Sequence, residues 1–156
     1  MTRKVVAFLT ALLLVFGAVF AAPALAFHAI QDEGKGTVSL DRADGAKRVP
    51  EQASGVATFR IRPSSQGFYN VRVRMEIGSL PERAGRVYEV WLVEDETGEE
   101  LNLGAFDTDN DGDGEISVTR TINNLAQFDR IIVTTEDIND LDPRRDGPVV
   151  LEGEQG

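Results

Sequence analysis

Val87-Tyr88-Glu89-Val90-Trp91-Leu92-Val93 is apolar on both faces apart from Glu89. Such a run reads as a strand covered on two sides, the centre of a β-sheet protein. Before it, residues 71–77 read VRVRMEI, in which Val71, Val73, Met75 and Ile77 alternate with Arg72, Arg74 and Glu76. Period two marks a strand with one buried and one wet face. Residues 55–62, GVATFRIR, form another strand, and Pro63-Ser64-Ser65-Gln66-Gly67 is the loop between the two. After the central run, residues 101–106, 116–122, 130–135 and 149–152 follow at short intervals, each bounded by Gly, Asn, Asp or Pro, and a weaker strand fits 37–40. Seven to eight short strands separated by turns predict an all-β fold, a single antiparallel β-sandwich of Ig-like, Greek-key type. The one helical candidate, residues 123–129, is a turn or two. Trp91 is expected to fill the centre of the sandwich, Gly104 to mark a bulge or a close approach, and Gly147-Pro148 to start an edge strand.

The N-terminus reads differently. Arg3 and Lys4 precede an apolar run from Val5 to Phe20, and Ala24-Leu25-Ala26 supplies an A-x-A cleavage site. Residues 1–26 are therefore an export signal, leaving a mature chain of about 130 residues. Residues 5–26 are also long enough to cross a bilayer as an uncleaved anchor, in which case the domain is membrane-tethered. Both readings put it outside the cytoplasm. Residues 27–49 are expected to be loosely ordered apart from a first strand, and residues 50–153 to form the β-domain.

Composition removes whole classes of function. The chain of 156 residues has no Cys and one His, which excludes disulfides, thiolate metal sites, Cys nucleophiles and His-pair metal sites. With 16 Lys+Arg against 26 Asp+Glu the net charge is −10, which argues against a nucleic-acid partner. Charge is also uneven: residues 27–86 hold 10 basic and 7 acidic side chains, residues 87–156 hold 4 and 19. The acidic half reads as a surface for cations or basic partners.

The run from Val87 to Val93, then Leu101-Asn102-Leu103-Gly104-Ala105-Phe106 and an Asp/Gly-rich turn, then FDRIIVTTED and DGPVVLEG, resembles the extracytoplasmic C-terminal domain of RskA-type anti-sigma-K factors. EQASGVATFRI and IGSLPERAGRVY are similar to that family's opening hairpin and L-P turn, so the likeness spans residues 50–153. Only Met1–Lys4 precede the apolar segment, which leaves no counterpart of the sigma-binding region. The resemblance implies a stand-alone sensory or interaction domain with an envelope or membrane-protein partner, and no catalytic residues.

Chemistry concentrates in Asp107-Thr108-Asp109-Asn110-Asp111-Gly112-Asp113-Gly114-Glu115. Carboxylates at Asp107, Asp109 and Asp111 with Gly at the sixth position match the front of a calcium loop, and Asp113 and Glu115 are further oxygen donors. Val118 stands where an EF-hand has its bidentate Glu, and the flanks read as strands, so the pattern suits a simpler Ca²⁺ site in a hairpin loop. The same residues also make an ordinary solvated turn. Paired carboxylates of a glycosidase would need a cleft, whereas these acids lie in exposed turns, and no small-molecule substrate is evident. The chain is expected to bind rather than catalyse.

Overall fold

The computed structural model describes residues 25–64, 67–139 and 144–154, and most of the segment read above as an export signal, residues 1–24, lies outside them. Eight strands follow one helix: α1 (Leu25–Glu33), β1 (Lys35–Arg42), β2 (Ser54–Pro63), β3 (Tyr69–Gly78), β4 (Arg86–Val93), β5 (Glu100–Phe106), β6 (Gly114–Ile122), β7 (Arg130–Asp137) and β8 (Val149–Glu154). A 3-10 turn at Leu125–Gln127 occupies the short helical candidate. All ladders are antiparallel, in one sheet ordered β5-β4-β7-β8-β1-β2-β3-β6. The expected all-β architecture thus takes the form of one continuous sheet. It curls until β5 and β6 nearly close a barrel, meeting where Thr108 bridges Gly114. Its two halves face each other across a common core, as the layers of a sandwich do.

The alternation read from the sequence fills that core. Ala57, Phe59 and Ile61 of β2 and Val71, Val73 and Met75 of β3 point inward and are buried, while the residues between them face solvent. From β4 the inward set is Tyr88, Val90 and Leu92.

Two expectations change. The segment expected to be loose begins with α1, whose Phe27 and Ile30 are buried one turn apart. Phe27 meets Phe59 edge-on with ring centroids 5.4 Å apart, and the Gln31 carboxamide oxygen accepts hydrogen bonds from the amides of Leu125 (2.6 Å) and Ala126 (3.2 Å). The helix therefore plugs one mouth of the barrel. Nine residues with two core contacts are too short a window for helical period to show against the apolar signal before it. Gly36 is required there, because a Cβ would stand 2.3 Å from Ile30 Cγ1.

Trp91 is buried, but not at the centre. It lies on the opposite face of β4 from Val90 and Leu92, in a separate cluster with Val93 and Ile132, and its indole N–H donates to Thr134 Oγ1 at 3.1 Å. The segment entering β8 lies against this side of the sheet: Arg145 pairs with Glu100 of β5 at 2.6 Å, and Gly147 packs on the Thr135 carbonyl of β7. A strand apolar on both faces does not reveal which face belongs to the main core. Nor does Gly147-Pro148 open an edge strand. β8 lies between β7 and β1, and Pro148 stands just outside the ladder, where its carbonyl accepts from Thr135 N (3.2 Å). The Gly104 bulge is present, as a register shift opposite Val90 and Trp91 with φ +144°.

Tyr88 carries the main pH signature. Its ring stacks on Phe106 at 5.5 Å and its hydroxyl donates to the Pro81 carbonyl at 2.5 Å. Burial raises its pKa above the ordinary tyrosine value near 10, with Arg83 pulling weakly the other way. The folded state therefore keeps this proton where the unfolded state loses it. Stability is expected to fall as pH rises past 10, and Tyr88→Phe should remove that part of the fall in urea titrations between pH 9 and 11. An unchanged alkaline slope in Tyr88→Phe would reject the assignment.

Candidate functional site

The register of β1, β2 and β3 gathers cations on one outer wall. Lys35 is directly opposite Arg60, and Arg60 directly opposite Arg72, so three positive side chains form a row across three strands. Thr119 of β6 ends the row. One row toward the hairpin end are Arg62, Asn70 and Thr121; one row the other way are Thr37, Thr58, Arg74 and Ser117. Alternation makes this inevitable: with the apolar residues of β2 and β3 inside, every arginine between them must face out.

Like charges placed directly across a ladder repel, so this row is unfavourable as it stands. Among the described residues, Lys35, Arg60, Arg62 and Arg72 make no side-chain ion pair or hydrogen bond. Three other arginines meet carboxylates. Arg74 pairs with Glu76 (3.1 Å) and Glu115 (3.0 Å), Arg130 with Asp95 (2.6 Å), and Arg145 with Glu100 (2.6 Å). A protein with net charge −10 thus leaves Arg60, Arg62 and Arg72 side by side without carboxylate partners among the described residues, as it leaves Lys47 and Arg48 in the connection between β1 and β2. Arg60, Arg62, Asn70, Arg72 and Thr119 line a shallow depression there. The sequence carried the signal, since RIR and VRVR alternate arginine with apolar residues on either side of a hairpin loop. A hairpin sets wet face against wet face, yet that step requires the register.

The acidic loop is held by its own hydrogen bonds. One Asp109 carboxylate oxygen accepts from the amides of Asp111 (3.0 Å) and Asp113 (2.9 Å), and Asp109 N donates to the Asp113 carbonyl. Glu115 is turned to Arg74. Gly112, with φ +85°, is fixed by its carbonyl's bond from Leu80 N. Asp107, Asp109, Asp111, Asp113 and Glu115 are all exposed. Among the described residues no three or more His, Asp or Glu side chains come together closely enough to hold a metal ion. No described helix is long and apolar enough to cross a membrane.

No protein-family model matches the chain, and no curated protein matches it.

Proposed function

We propose that this chain is a non-catalytic binding domain, exported and held in or beyond the cell envelope, that captures an anionic partner on the arginine wall of β1, β2 and β3. The observation that carries this reading is the row Lys35–Arg60–Arg72, three cations in register with no partner among the described residues. An arrangement that costs folding stability and gains no internal contact is the mark of a surface kept for something else. The resemblance to an anti-sigma factor ectodomain supports a sensory or partner-binding role, and the apolar N-terminal segment supports export.

Retention on a sulfonate matrix at pH 7.5 tests the wall, because a molecule of this net charge should otherwise pass through. In about 50 mM NaCl, where screening reaches roughly 14 Å, the intact protein is expected to be held and released by salt. Arg60→Thr should pass through earlier, yet unfold at higher temperature, since it removes the middle charge of the row and adds a strand-favouring residue; the gain is a few tenths of a kcal/mol. Retention unaltered by Arg60→Thr would sink the reading.

A calcium-held module is the second reading, favoured by Asp107, Asp111 and Asp113, whose carboxylates have no partner among the described residues. With one Asp109 oxygen accepting from amides and Glu115 paired with Arg74, thermal unfolding in millimolar CaCl₂, MgCl₂ or EDTA at matched ionic strength is expected to give coincident curves. A calcium-specific rise that Asp111→Asn abolishes would reverse the order of the two readings.

A further inference from the structure

We infer that the occupant of the arginine wall is an acidic polysaccharide, a linear sugar polymer bearing carboxylates; this rests on the anion-binding reading above. What separates the cations decides between anions. Thr58, Asn70, Ser117, Thr119 and Thr121 fill the positions between and beside the arginines, and Thr121 Oγ1 donates to Asn70 Oδ1 at 3.2 Å. The three rows hold only cationic, hydroxyl and amide side chains. Of the large apolar side chains exposed among the described residues, Phe68 and Ile138 are off these rows and Val56 stands on the same face one row beyond them, between Ser39 and Glu76.

Each rival occupant needs something this wall lacks. Single-stranded nucleic acid is held by aromatic platforms on which bases stack. A protein partner is anchored by aromatic or apolar side chains at the centre of its footprint. A lipid surface takes an apolar face inserted below the headgroups. A hydrated acidic glycan needs none of these. Its carboxylates match the fork of an arginine guanidinium, which binds them through two parallel N–H donors, and its hydroxyls suit the intervening threonines and amide.

The lattice of charges also favours a polymer. Strands about 4.8 Å apart and same-face residues about 6.8 Å apart place Lys35, Arg60, Arg62 and Arg72 within one short span. Single exposed ion pairs of this kind are weak, so one carboxylate alone would hardly be held. A chain carrying many of them engages several cations at once, and each contact raises the effective concentration for the next. Glu76 and Glu115 close the wall at one end and repel the polymer there, which sets where its track stops.

Calorimetric titration of the full-length protein with polygalacturonate, neutral dextran, duplex DNA and phosphatidylglycerol vesicles tests this directly. Saturable binding of polygalacturonate is expected, with none of dextran, and the substitution pair Arg60→Gln and Arg72→Gln should weaken it about tenfold while leaving the unfolding midpoint no lower. Tighter binding of DNA or vesicles than of polygalacturonate, weakened by the same pair, would overturn the polysaccharide and keep the anionic wall. Sulfonate retention without polygalacturonate binding would do the same. Binding of polygalacturonate that the pair leaves unchanged would overturn the inference, and loss of both retention and binding would remove the reading beneath it.

Discussion

Ending the chain before Val149 is expected to abolish cooperative folding. β8 is the strand through which β5-β4-β7 and β1-β2-β3-β6 become one sheet, pairing with β7 on one side and β1 on the other. Val150 and Leu151 are buried, so its removal exposes the core as well as two bare strand edges. Fit on both sides is close: a Cβ on Gly153 would lie 2.6 Å from the Ser39 carbonyl and 3.1 Å from Ile131 Cγ2, which is why a glycine stands there. Leu151→Ala isolates the packing part, at about 2 to 5 kcal/mol for a fully buried leucine. Against the ~5 to 15 kcal/mol that holds a typical domain, that is a large share. Urea titrations followed by Trp91 fluorescence and by far-ultraviolet circular dichroism check both variants. A truncated chain whose two signals still change together at the original midpoint would show that the halves do not need β8.

Phe27→Ala should cost about 3 to 5 kcal/mol, nearly as much as any single substitution in the barrel. The ring is fully buried at the plugged mouth, set edge-on against Phe59. Its loss leaves a void that β-strands on several sides cannot close, because their spacing is fixed by backbone hydrogen bonds. Phe68→Ala is the internal control. That ring, at the hairpin between β2 and β3, is 40 % exposed, and its truncation should change stability by no more than about 0.5 kcal/mol. Equal midpoints for Phe27→Ala and the parent protein would mean that α1 is an appendage and not a plug.

The contrast between these phenylalanines shows what could be read in advance. Strands were legible where burial on one face writes period two into the chain, as in residues 71–77, and elsewhere from apolar runs bounded by turn residues. Phe27 was not, since its helix presents only two core residues and abuts an apolar run that masks its period. Trp91 was legible as buried, but its side of the sheet depends on where the segment before β8 runs. β8 itself looked like an edge because Pro148 precedes it, whereas its place between β7 and β1 is a property of long-range pairing. The candidate site divides in the same way. Carboxylates close together in sequence drew notice to residues 107–115, where the structure spends Asp109 on holding a turn. Arginines distant in sequence, Lys35's neighbours Arg60 and Arg72, become a site only once three strands are laid side by side.

Segregated charge gives the molecule two faces toward anything anionic. At a distance a polyanion meets the sum of all charges, −10, and is pushed away. In contact it meets Lys35, Arg60, Arg62 and Arg72 alone. Salt acts unequally on these regimes: in very dilute electrolyte, where fields extend about 30 Å, the long-range repulsion prevails, and near physiological strength, where they extend about 8 Å, the acidic half is hidden while the arginines still touch their target. Attachment through the proposed wall is therefore expected to be strongest at intermediate ionic strength and weaker on either side. A domain built this way would hold on at one ionic strength and let go at another, with no change of shape.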